Sequence, residues 1–85
     1  MTTIEFYQHA VEAAKTFGYE NPSIVTTSGC YEGIIHHTCQ LWDSSKKEFI
    51  SSGLHGNPVA VIQAFKDALE FNQKSYADYK QDIEI

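Results

Sequence analysis

Five Cys and His residues, able to bind a metal or to act as nucleophile and base, fall between positions 30 and 55: Cys30, His36, His37, Cys39 and His55. A structural zinc site takes four ligands, usually from short paired spacings such as C-x2-C. The chain has no such pair, and on a strand His36 points away from His37 and Cys39. The pattern reads as a small buried cysteine beside a half-buried histidine, and neither metal nor cofactor is expected. Cys30 with a histidine is the enzymatic alternative. A reactive thiol needs an electropositive setting, whereas Tyr31 and Glu32 follow Cys30. The expectation is therefore that the protein is not an enzyme. A Cys30–Cys39 disulfide is not expected either, because no export signal opens the chain and reduced thiols suit a cytoplasm.

Two carboxylate pairs, Asp67/Glu70 and Asp78/Asp82, have helical spacing on polar faces, which is the pattern of a solvated surface. Gly53-x-x-Gly56 precedes a helix start but lacks the Lys and Ser/Thr of a phosphate loop, so it reads as turn chemistry. The acidic residues are the stronger lead: Glu12, Glu20, Glu32, Asp43, Glu70, Asp78, Asp82 and Glu84 spread over the first helix, the loops and the tail. Tyr76 and Tyr79 lie among the tail acids, and tyrosine is enriched at interface hot spots. The expected partner-binding residues are Glu70, Tyr76, Asp78, Tyr79, Asp82 and Glu84, with Trp42 on a strand.

The elements that position these residues are organised around Gly53 to Pro58 and the helix it launches. Asn57 is a good N-cap and Pro58 fits the first helical position. Val61, Ile62, Phe65, Ala68, Leu69 and Asn72 then form one apolar stripe, opposite Gln63, Lys66, Asp67 and Glu70. Phe65, in the middle of the stripe, is expected to be the central core residue. The spacing predicts a helix from Val59 to about Phe71, a break near 73–75 and a short third helix. The break is expected because Asn72 to Ser75 is weakly helical and Ser75 to Asp78 resembles a capping box.

Earlier in the chain, Thr2 and Glu5 form a capping box and open a helix over about 3–17. Its predicted inner face is Ile4, Tyr7, Val11 and Ala14, widened by Ala10, Ala13 and Phe17, and Gly18 is the C-terminal stop. Ser23 to Ser28 reads as a strand, Gly29 to Gly33 as a hairpin connection, and Ile34 to Trp42 as the longest strand. Within it Ile35, His37, Cys39 and Leu41 make the predicted core face, leaving Ile34, His36, Thr38, Gln40 and Trp42 on an open face. Asp43 to Lys47 is a second hairpin loop and Glu48 to Ser52 a third strand. The predicted fold is a single α+β domain over 1–85, two layers, with the helices on one face of a three-stranded antiparallel sheet.

Composition narrows the class. The chain has 85 residues, a formal net charge of −5, and six basic residues that are all Lys. Residues 1–43 carry one Lys and five acids, and residues 44–85 carry five Lys and six acids. This balance counts against direct nucleic-acid binding, which wants clustered Lys and Arg. It equally fits a soluble protein or one that meets a basic surface. No apolar run reaches the length of a membrane span, and a cytoplasmic location is expected.

Two resemblances follow from this layout. The order α-β-β-β-α resembles the double-stranded-RNA-binding domain. That family starts its last helix with lysines where this chain has Asn57-Pro58-Val59-Ala60-Val61, so RNA binding is not carried over. The chain also resembles small acidic anti-CRISPR proteins of phages and mobile elements. The matching parts are Glu48-Phe49-Ile50-Ser51-Ser52, Val61-Ile62-Gln63-Ala64-Phe65-Lys66, and Tyr76-Ala77-Asp78-Tyr79 to Asp82-Ile83. This resemblance implies a non-enzymatic inhibitor that occupies a basic nucleic-acid-binding surface of a host protein such as a CRISPR effector, in the host cytoplasm. The chain itself would be a monomer or a homodimer. The alternatives are a small enzyme using Cys30 with a histidine, and a homodimeric structural or assembly domain.

Overall fold

In a computed structural model, the described residues are 2–84, with side chains described over 2–73. The element order is α1 (Thr3–Thr16), β1 (Ser23–Tyr31), β2 (Ile34–Asp43), β3 (Glu48–Ser51) and α2 (Pro58–Glu84). The three strands form one antiparallel sheet in the order β1-β2-β3. Both helices pack on one side of it, and the fold is α+β as expected.

Local chemistry sets the ends of α1. The Thr2 side chain accepts from the Glu5 N–H at 3.1 Å, and Glu5 reaches back to the Thr2 N–H. At the other end Gly18 has φ 97°. Its N–H donates to the Lys15 carbonyl at 3.0 Å, and Tyr19 N–H to that of Ala14 at 3.2 Å. That pair of bonds is the Schellman stop.

The face α1 buries differs from the sequence expectation. Phe6, Ala10, Ala13 and Ala14 are buried, while Ile4 is 70% and Tyr7 41% exposed. Small alanines let the helix backbone approach its neighbours closely, so the buried stripe follows them rather than the larger residues on the adjacent flank.

The first hairpin is longer and its turn tighter than expected. Tyr31 pairs with Ile34, leaving Glu32 and Gly33 as the turn, at φ 53° and 79°. Positive φ at both central residues marks a type I′ turn, whose twist matches the strands. Gly29 and Cys30 therefore belong to β1, not to a loop. The second turn is the four residues between Asp43 and Glu48, which pair. Asp43 Oδ1 accepts from the Ser45 and Lys46 N–H groups at 2.9 and 3.3 Å.

β3 does not end cleanly at Ser51. His55 bridges to His37, with His37 N–H to His55 O at 2.7 Å and His55 N–H to His37 O at 3.0 Å. Ser51 pairs with Gln40, so four steps along this strand match three along β2. The extra residue is a bulge, made possible by Gly53 at φ 77°. Ser52 Oγ accepts the Cys39 N–H within the bulge at 3.0 Å.

Asn57 caps α2 as expected, its Oδ1 accepting from Val59 N–H at 2.8 Å. Val61, Phe65 and Leu69 are fully buried with Ile62 nearly so, against Cys39, Leu41, Ile24 and Ile50 of the sheet. The expected break near 73–75 and separate third helix are absent: α2 is one helix of 27 residues, about 40 Å at 1.5 Å per residue. Asn, Gln, Lys and Ser cost only a few tenths of a kcal/mol each in a helix, and neither Gly nor Pro intervenes. Tertiary ties also hold this stretch. Lys46 Nζ donates to the Asn72 carbonyl at 3.2 Å, and Gln73 Nε2 donates to the Phe17 carbonyl.

Candidate functional site

Alternation along β2 sorts the candidate residues onto two faces. Cys39 and Leu41 point into the core and are fully buried. Ile35 shares their face but is 59% exposed, and Cys30 opposite it is exposed too. The helical cover ends before the hairpin tip.

The open face takes five residues from β1, five from β2 and two from β3. Val25, Tyr31, Ile34, Trp42 and Phe49 are its large apolar members, exposed by 46, 63, 59, 38 and 54%. Trp42 and Phe49 pair across the strands with ring centroids 5.1 Å apart, and Tyr31 lies 5.9 Å from the ring of His36. The remaining members are Ser23, Thr27, Gly29, Gln40, Ser51 and Thr38; contrary to the expectation of an exposed position, Thr38 is buried at 8% exposure, its hydroxyl 3.4 Å from Ser52 Oγ. None of these positions is Asp, Glu, Lys or Arg. Interface centres have this composition, rich in aromatics and poor in charge.

The histidines are dispersed by the fold. His36 is on the open face. On the helix side, His37 Nδ1 lies 2.7 Å from Ser28 Oγ, and its ring 6.4 Å from that of Phe6. His55 Nε2 donates to the Ser52 carbonyl at 3.0 Å, so that nitrogen carries the proton. Among the described residues, no group of three His, Cys, Asp or Glu converges as a metal site would require. Ser28, which the sequence did not single out, takes the position beside His37 that Cys30 was considered for. Its register partner is His37, whereas Cys30 faces Ile35. A nucleophile–base pair has this hydrogen-bond length, but no third side chain among the described residues orients the imidazole. Burial pushes the Cys39 thiol up to about 12, which makes it inert rather than nucleophilic.

Asp43, grouped by sequence with the surface acids, is only 6% exposed. Tyr19 hydroxyl donates to its Oδ2 at 3.2 Å, and its other oxygen holds the β2–β3 turn. Burial, followed by the Asp43 carboxylate, raises the Tyr19 phenol above its ordinary value. Asp43 is thus a structural hub joining the end of α1 to the hairpin.

Trp42 lies on the open face as expected, and Glu70 is exposed on α2. Tyr76, Asp78, Tyr79, Asp82 and Glu84 fall on the helical backbone of α2, and their side chains lie outside the described residues. Among the described residues, no helix is long and apolar enough to cross a membrane. Compared with protein-family models, curated proteins and solved structures, the chain gives no significant match.

Proposed function

We propose that this chain is a non-enzymatic protein-binding domain, an inhibitor of phage or mobile-element type that occupies a nucleic-acid-binding surface on a host effector such as a CRISPR complex. The observation that carries the reading is the open sheet face. Five exposed large apolar residues sit on it with no charged residue among them. A Trp–Phe pair in such a setting is an anchor of the kind that dominates binding energy. The net charge of −5 supports a basic partner, since long-range charge sets approach and apolar contact sets residence. In this reading Trp42 and Phe49 form the contact centre, and Glu70, Asp78, Asp82 and Glu84 steer the encounter.

The test is target binding by purified CRISPR effectors of representative types, titrated with the chain. The parent should suppress target binding by at least one effector. The double variant Trp42→Ser, Phe49→Ser should lose that suppression at least tenfold while melting within a few degrees of the parent. Suppression that survives the double substitution, or no suppression of any effector, overturns the reading.

A further inference from the structure

The free edge of β1 has backbone groups to spare, and the ladder shows which. His37 exchanges its backbone bonds with His55, so odd-numbered residues of β2 aim their N–H and C=O groups toward β3 and even-numbered ones toward β1. Through the register, Val25, Thr27, Gly29 and Tyr31 of β1 are the residues bonded to β2. Ile24, Thr26, Ser28 and Cys30 therefore point their backbone groups outward. The Ile24 carbonyl is already taken by the Tyr7 hydroxyl. Thr26, Ser28 and Cys30 remain, each with an N–H and a C=O on the outer edge. Native sheets usually blunt such an edge with Lys, Pro or a bulge, and Ser23–Tyr31 contains none of these.

We infer that this edge is closed by a second copy of the chain, β1 against β1 and antiparallel, about a two-fold axis at Ser28. In that register Ser28 meets Ser28, Thr26 meets Cys30, Thr27 meets Gly29 and Val25 meets Tyr31. All the spare groups then face one another. Ile24, capped by Tyr7, falls opposite the turn and is left out. Centring on Thr27 or Thr26 instead would set the capped Ile24 against Cys30 or Ser28 and waste their bonds. On the open side Val25 and Tyr31, 46 and 63% exposed, pack across the seam.

The helix layer fits the same occupant. Because Tyr7 reaches the Ile24 carbonyl, the exposed flank of α1 lies beside this edge. Ile4, Tyr7 and Val11 are the apolar members of this flank, with Glu12 and Lys15 at one end. A two-fold axis normal to the sheet puts both α1 helices on the same side, and with Tyr7 held at Ile24 the apolar flank of each α1 lies toward the other copy's uncovered hairpin tip rather than against the other α1. Charge agrees with self-association. Val25 to Tyr31 is uncharged, so the strand seam buries no charge although each chain carries −5. The dimer is independent of the inhibitor reading, because it uses the edge of the sheet and not its face.

Sedimentation velocity over a concentration series should show a species of twice 9.6 kDa. Ser28→Pro removes an outward N–H without touching the β2 ladder and should weaken the dimer at least tenfold. In a Cys30→Ser background, Ser28→Cys should cross-link two chains on mild oxidation, since directly opposed residues about 5.5 Å apart suit a disulfide. Thr27→Cys, offset from its own copy, should cross-link far less. A 9.6 kDa species at every concentration, or equal cross-linking at both positions, overturns the inference. So does a monomer whose Thr26, Ser28 and Cys30 amides gain exchange protection only when a foreign protein is added. That result would assign the edge to strand addition by a foreign segment.

Discussion

Cys39 has no exposed surface, and its thiol is held neutral by burial up to about 12, against an ordinary 9.0. Between those values the unfolded chain loses the proton and the folded chain keeps it. Stability is therefore fully present below 9.0 and falls as pH rises toward 12. Tyr19, raised from 10.0, acts in the same direction at higher pH. Urea midpoints on either side of 9.0 should show this decline, and Cys39→Ala should flatten it. In the native protein a thiol reagent should modify Cys30 and spare Cys39; equal labelling would show that Cys39 is not sealed. The inward direction of Cys39 and Leu41 was legible from alternation along Ile34–Trp42. The exposure of Ile35 was not, because alternation assigns a face and says nothing about how far the opposing layer extends. Nor was the burial of Asp43, which follows from Tyr19 arriving over it after the α1 stop.

At the level of elements, the α2 stripe was readable because large apolar residues recur at one helical spacing and a strong cap fixes the start. Phe65 is its centre, fully buried between Val61 and Leu69. Truncating such a phenylalanine costs about 3–5 kcal/mol, and a domain of this size holds little more than that in total. Phe65→Ala is expected to be largely unfolded at room temperature by circular dichroism; a melt within a few degrees of the parent would contradict the packing described. The same logic misled for α1, where two flanks carry apolar residues. Size favours Ile4, Tyr7 and Val11, but close packing favours Phe6 and the alanines. Spacing alone also failed at residues 73–75, since weak propensity is overridden when neighbouring turns are anchored by Lys46 and Phe17.

For the whole molecule, the strand order equals the chain order, and both sheet pairings close through turns of two and four residues. The consequence lies in kinetics. Each strand pairs only with its neighbour in sequence, and the main closure between distant parts is α1 against α2. Neighbour-only pairing of this kind favours folding between the rates of helical bundles and all-β domains. The turn at Glu32–Gly33 then becomes a handle on the barrier. Glu32 sits at φ 53°, a region a non-glycine residue adopts at a cost and Asn tolerates better. Asn-Gly is also the preferred type I′ pair. If the β1–β2 hairpin is already formed at the barrier, Glu32→Asn should accelerate refolding and leave unfolding nearly unchanged. Stopped-flow chevrons of the two proteins would show it, and a shift confined to the unfolding limb would place hairpin closure after the barrier, behind the docking of the two helices.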